Sequence, residues 1–444
     1  MIKINKPKFD NRTFVGGKLD NNIKYSIITD EHLEKSFVSV CLNIGSFADP
    51  VGYGGLAHFL EHMLFMGSKK YPNEDHYFTK LSEYGGYSNA YTDVMETVYY
   101  FNVYDNGLEE IFDIFSRFFI DPLFNADSIT REINAVNSEH KKNINRDYWR
   151  IYQLMLNLTD PNSMTNTFVT GSLNSLSKPD IRKQVIDFYN KYYISNNISI
   201  CIASSKSNEY VYNIINKTFG HIPKSNLNNK LTIDKPFFKQ NITKSFHLKS
   251  VSNIYEINYI WEIPIQQTYL ISKEFNILDM IITNRSENSL YFHLKNKGYL
   301  NYLNIDIRHE GIFIIKLKLT KEGFKHINYI NSILNECIKQ IINSNIENYA
   351  KYYQKVMNIN FNCSNKYNAE DLCNKLSVNH HYYLTSDILC GDYLITKIKT
   401  NNDYRNLFSK YITPNNCLKI ICSQNINIKN LKYNKLPEYD ANFV

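Results

Sequence analysis

Along residues 12–48, apolar and polar side chains alternate with a period of two, the pattern of β-strands. The runs Lys24-Tyr-Ser-Ile-Ile and Phe37-Val-Ser-Val-Cys-Leu-Asn-Ile carry it most clearly, and Gly16-Gly17 and Asp20-Asn21-Asn22 punctuate it as turns. The period then changes. Leu56, Phe59, Leu60, Met63 and Leu64 recur at helical spacing, so a helix follows the strands. Beyond a polar break at 67–73 the pattern predicts a helix over 74–84 closed by Gly85-Gly86, and a hairpin of 87–92 with 97–103. A helix from Leu108 to Phe119 comes next, and then a long polar helix over 127–155. A loop over 160–176, a helix over 179–193, a strand over 198–203 and a helix over 208–219 complete this half.

Residues 222–243 are polar, contain Pro223 and Pro236 and show no period, so they read as a linker. The order of elements then repeats. A strand at Ile254–Trp261, a helix, Lys297-Gly298, a hairpin of Leu300–Ile307 with Ile312–Leu319 and a helix over 321–341 echo the first half. Helices over 344–358 and 368–377 and a strand at Leu418–Cys422 continue the echo. The expected fold class is α+β, with two similar domains over 1–230 and 231–444, each a mainly antiparallel sheet packed with helices.

Composition narrows the partners. The net charge of +7, spread over 50 basic and 43 acidic residues, is modest, and no basic block interleaved with aromatics stands out. Nucleic acid is therefore not an expected partner. The eight cysteines are scattered with no C-x-x-C, as expected of reduced, mostly buried thiols. The opening Met-Ile-Lys-Ile-Asn-Lys-Pro-Lys lacks the apolar core of a signal peptide. No apolar run approaches the ~20 residues of a membrane span. A cytoplasmic or other reducing intracellular location is expected, with no membrane partner.

Chemistry concentrates in Gly54-Gly-Leu-Ala-His-Phe-Leu-Glu-His-Met-Leu-Phe-Met-Gly67, where His58, Glu61 and His62 form H-x-x-E-H. At about 100° per residue, His62 lies roughly 40° round the helix from His58, and Glu61 roughly 60° to the other side. Two imidazoles one turn apart can grip one ion while a carboxylate stands beside it as a base, which is the arrangement of a hydrolytic zinc site. A catalytic zinc takes three protein ligands, so one is missing from the motif. The long polar helix offers Glu132 and Glu139 on one face, about 10 Å apart along the axis. Only one of them can bind the ion. The other is placed to orient an imidazole through a hydrogen bond, and spacing alone does not say which does which.

Residues 52–103 and 131–152 resemble the insulysin–pitrilysin family of inverted-motif zinc metallopeptidases. The resemblance is carried by His58-Phe-Leu-Glu-His-Met-Leu-Phe-Met-Gly-Ser-Lys-Lys-Tyr-Pro, Ser88-Asn-Ala and Arg131-Glu-Ile-Asn-Ala-Val-Asn-Ser-Glu-His. Weaker similarity runs through Lys295-Asn-Lys-Gly and Leu319-Thr-Lys-Glu-Gly. The resemblance implies half of an insulysin-like clamshell with one Zn2+ per chain, held by His58, His62 and Glu139. Glu61 would be the general base and Glu132 a supporting acid. Asn89 and Ala90 would contact the backbone of a peptide substrate added as a strand, Tyr91 would line a side-chain pocket, and Trp149 and Tyr152 the neighbouring apolar pocket. The implied function is a zinc-dependent endopeptidase cleaving short or partly unfolded peptides through a metal-activated water. The alternative is a catalytically weak or silent peptide-binding subunit. Only the N-terminal half of the insulysin-branch chains is resembled, so a homodimer or a partner half-chain would complete the chamber.

Overall fold

The structure is a computed structural model that describes residues 1–226, 231, 233, 238–265, 268–363, 367–424 and 432–444. Part of the expected linker, including position 230, lies outside the described residues. The chain groups into two compact units. Residues 1–140, 167–232 and 360–392 form the first, and 141–166, 233–359 and 393–444 form the second.

Among the described residues, seven strands build the sheet of the first unit. They are β1 (Ile2–Lys3), β2 (Thr13–Lys18), β3 (Lys24–Thr29), β4 (Lys35–Leu42), β5 (Tyr87–Thr92), β6 (Thr97–Tyr104) and β7 (Ile198–Ser204), in the order β1-β2-β3-β7-β4-β6-β5. Only β3 and β7 run parallel; the other neighbours are antiparallel. The period-two alternation sends successive side chains to two cores. Ile27, Val38, Val40, Ile200 and Ile202 face the core that holds the helix Leu56–Met63. Ile28, Cys201 and Ala203 face the other way and meet Ala369, Leu372, Cys373 and Leu376 of the helix Ala369–Asn379. Every residue of β7 is buried because both of its faces are covered. At the opposite edge from β1, β5 pairs among the described residues only with β6, and its outer side is unpaired there.

The helix expected over 127–155 is two helices, Ala126–Asn143 and Asp147–Asn157. Arg146 leaves the helical region (φ −104°, ψ 118°), and Asn143 and Asn145, both weak helix formers, flank the break. Glu132 and Glu139 lie on the first helix. Trp149 and Tyr152 lie on the second, which packs within the second unit. The helix expected over 321–341 is likewise interrupted at His326, between Lys321–Lys325 and Ile327–Asn343.

Among the described residues, the second unit has its own seven-stranded sheet. Its strands are β8 (Ser245–Lys249), β9 (Tyr255–Glu262), β10 (Leu300–Arg308), β11 (Ile312–Leu319), β12 (Cys417–Ser423), β13 (Asn434–Leu436) and β14 (Ala441–Phe443), in the order β10-β11-β9-β12-β8-β14-β13. Here too one pair is parallel, β8 with β12. Aligned on the parallel pairs, β10-β11-β9-β12-β8 repeats β5-β6-β4-β7-β3, so the echo heard in the sequence is a repeat of topology. In that repeat the helix Glu274–Ile282 stands where Leu56–Met63 does, and it contains no histidine. No helix among the described residues is long and apolar enough to cross a membrane.

Candidate metal centre

The helix Leu56–Met63 is held at its start by a residue outside it. Asp49 accepts the N–H of Gly55 at 2.7 Å and that of Ala57 at 2.8 Å, satisfying donors that a helix leaves unpaired in its first turn. Leu56, Phe59, Leu60 and Met63 bury one face in the core, which turns His58 and His62 towards the half-exposed side. Gly55 sits at φ +85°, and a Cβ there would lie 2.2 Å from the Cα of Gly171. That close approach seats the loop whose Thr170 carbonyl lies 2.7 Å from Nδ1 of His58. Gly55→Ala should lower stability by about 1–3 kcal/mol through the strained backbone. It should also weaken metal binding through the displaced loop. Urea unfolding of variant and wild type, with and without zinc, measures both effects.

Each imidazole is anchored through Nδ1. His58 uses the Thr170 carbonyl, and His62 lies 3.0 Å from Oε2 of Glu132. With Nδ1–H donated to an acceptor, Nε2 keeps its lone pair for an ion. The two rings are 5.0 Å apart between centroids and nearly perpendicular, at 85°. Donor atoms of His58, Glu61 and His62 all lie within 4.8 Å of one another. Oε2 of Glu139 stands 3.6 Å from Nε2 of His58 and 3.9 Å from Nε2 of His62. Two imidazole nitrogens converging with carboxylate oxygens form the donor set that zinc accepts in hydrolytic sites, so the residues fit that ion. No other cluster of three or more His, Cys, Asp or Glu with such spacing occurs among the described residues.

Glu61 is 6 % exposed, and one of its oxygens accepts the hydroxyl of Thr92 at 2.6 Å. Burial pushes its carboxyl above the usual carboxylate range, against the opposing pull of His58, the Thr92 hydroxyl and His62. Burial also works against a charged His62 ring, but Glu132, Glu61 and Glu139 outweigh it and raise the ring above the ordinary imidazole value.

The residues expected to hold substrate are divided between the units. Asn89, Ala90 and Tyr91 lie on the edge strand β5, whose last residue is Thr92. The N–H of Ala90 is taken by Oδ1 of Asn89 at 2.9 Å, and the Tyr91 hydroxyl lies 3.4 Å from Glu96. Trp149 and Tyr152 belong to the second unit. Tyr152 is buried there with the guanidinium of Arg308 4.6 Å above its ring, and Trp149 packs edge-on against Tyr148 and Tyr152. Three site residues escaped sequence reasoning: Asp49, Thr92 and Thr170. Thr92 and Thr170 act on partners distant in sequence and Asp49 acts across a turn, and none carries a local pattern that would mark it.

Residues 26–162 match the family described as Insulinase (Peptidase family M16), and residues 180–352 match the Peptidase M16 inactive domain. The chain is 32% identical over 408 residues to the insulin-degrading enzyme of Homo sapiens, covering 89% of this chain and 40% of that protein. It is similar in fold to the crystal structure of pitrilysin with a TM-score of 0.93 and 25% identity, across 100% of this chain and 48% of that one. A protease from Helicobacter pylori shares the fold at 16% identity and a TM-score of 0.70, over 93% of this chain and 99% of that one. The chain thus spans less than half the length of the human relative and of pitrilysin.

Proposed function

We propose, from the premise that this chain belongs to the insulysin–pitrilysin (M16) peptidase family, that it is a zinc-dependent endopeptidase of short or partly unfolded peptides. One observation carries the reading. The Nε2 atoms of His58 and His62 both lie within 4.0 Å of the same Glu139 oxygen, beside a buried Glu61. His58, His62 and Glu139 would hold one ion per chain, with Glu132 fixing the ring of His62. When bound, zinc supplies a Lewis acid that polarises the scissile carbonyl and makes a water acidic near neutrality. Glu61 takes the proton of the attacking water and returns it to the departing amine. The unpaired side of β5 offers N–H and C=O groups to an extended peptide, with Asn89 and Ala90 contacting its backbone and Tyr91 a side chain.

A peptide-binding subunit without turnover would use the same strand. It would have no need of a carboxylate base buried beside two anchored imidazoles, and Glu61 favours the enzyme. The chain covers 48% of pitrilysin; the other half of an enclosing chamber would come from a second copy, a separate half-chain or further sequence joined to this one. The eight free cysteines suit a reducing intracellular compartment.

Metal analysis and cleavage of a quenched fluorogenic peptide, with native mass measured alongside, test this reading. About one zinc per chain with chelator-sensitive cleavage supports it. Zinc without cleavage, both alone and with added half-chains of the family, overturns it in favour of the subunit. Glu132→Gln should weaken zinc binding by about 10–100-fold by exchanging a charged acceptor on His62 Nδ1 for a neutral one. Competition with a chromogenic chelator reads this directly.

A further inference from the structure

We propose that Thr92 is a positioning residue for the base. Its hydroxyl holds Oε2 of Glu61 and leaves Oε1 for the proton, so the strand offered to the peptide also aims the carboxylate. The proposal rests on the peptidase reading above. Three observations carry it. Thr92 Oγ1 lies 2.6 Å from Oε2 of Glu61, across 31 residues of sequence. Thr92 is the last residue of β5, the strand whose outer edge is unpaired.

The third observation is that the end of β5 is fastened to the support of the motif helix. The N–H groups of Ser46 and Phe47 donate to the carbonyls of Asp93 and Val94 at 3.0 and 2.9 Å. Thr97, the cross-strand partner of Thr92, donates its hydroxyl to the Ile44 carbonyl at 2.9 Å. A Cβ at Gly45 would meet the Asp93 carbonyl oxygen at 2.0 Å, so the two segments touch backbone to backbone. From the same loop, Asp49 grips the N–H groups of Gly55 and Ala57. Residue 92 is thereby tied to the helix that carries residue 61, by backbone contacts with residues 45–47 at one end and by the Asp49 carboxylate at the other.

The residue type fits the task. A β-branched threonine has few accessible χ1 states, so its hydroxyl direction is set by the strand. A carboxylate on a longer side chain, nine-tenths buried but without that donor, has other rotamers open to it. Support groups of this kind act by holding a reacting group in its productive geometry.

Thr92→Val keeps the shape and removes the hydroxyl, and Thr92→Ser keeps the hydroxyl. In the zinc-loaded protein, Thr92→Val should lose about 10–100-fold in kcat with KM and zinc content unchanged. Thr92→Ser should stay close to wild type. A role in folding alone would instead lower zinc content and unfolding temperature together with activity. Crystal structures of the three proteins give a readout that needs no turnover. Glu61 should keep its rotamer in wild type and Thr92→Ser and leave it in Thr92→Val. An unmoved Glu61 in Thr92→Val, an undiminished kcat, or a Thr92→Ser as impaired as the valine variant overturns the proposal. A wild type that cleaves nothing fails the peptidase reading, and the rotamer comparison then decides the positioning role by itself.

Discussion

Glu61→Gln is expected to bind zinc as the wild type does and to cleave peptide about 10²–10⁴-fold more slowly. The amide has the shape of the carboxylate, and its oxygen can still accept the Thr92 hydroxyl that lies 2.6 Å away. What it cannot do is take a proton. The candidate ligands are untouched, since His58 and His62 are anchored by Thr170 and Glu132 and not by Glu61. The fold should not suffer either, because a buried charge is replaced by a neutral group with the same hydrogen bond. Single-turnover cleavage of a fluorogenic peptide, with metal analysis on the same sample, measures both quantities. Loss of zinc from this variant would make Glu61 a ligand and leave the site without its base. Turnover near the wild-type rate would move the base elsewhere.

What could be read in the sequence was what is local. The H-x-x-E-H motif places its three side chains by helix geometry alone, and the flanking apolar positions say which face is buried. The repeat of the two halves was legible because strand period, Gly-closed helix and hairpin recur in the same order, and the sheets repeat in topology. Spacing put Glu132 and Glu139 on one helix face without distinguishing them. The distances do so: Glu132 lies at Nδ1 of His62, and Glu139 faces both Nε2 atoms.

The rest was hidden for physical reasons. The break at Arg146 carries no proline or glycine, and the aromatic side chains of Tyr148 and Tyr152 continue a helical spacing beyond it. The helix Ala369–Asn379 covers the first sheet from the far end of the chain, a contact that amphipathic pattern alone cannot assign to a sheet. Thr92 and Thr170 each work through one hydrogen bond to a residue distant in sequence, and Asp49 through two across a turn, and such bonds leave no period behind.

Zinc should stabilise the wild type against unfolding and leave Glu139→Ala almost unmoved. At a free zinc concentration 100 times its dissociation constant, a ligand bound only by the folded state adds about 2.7 kcal/mol. One oxygen of Glu139 lies 3.6 Å from Nε2 of His58 and 3.9 Å from Nε2 of His62, and its side chain is 47% exposed. Its removal therefore costs the metal-free fold little, and alanine is a better helix former than glutamate at that position. Two imidazoles alone should hold the ion more than a hundredfold less tightly, beyond the roughly 10–100-fold expected when a supporting residue is changed. Thermal unfolding across a zinc titration, for wild type, Glu139→Ala and Glu132→Gln, therefore ranks the two acids without recourse to activity. The expected order of zinc affinity is wild type, Glu132→Gln, Glu139→Ala. The reverse order of the two variants would exchange their roles, with Glu132 entering the ligand set. His62 would then need another partner for Nδ1, and the mechanism would keep Glu61 as base on a differently built ion.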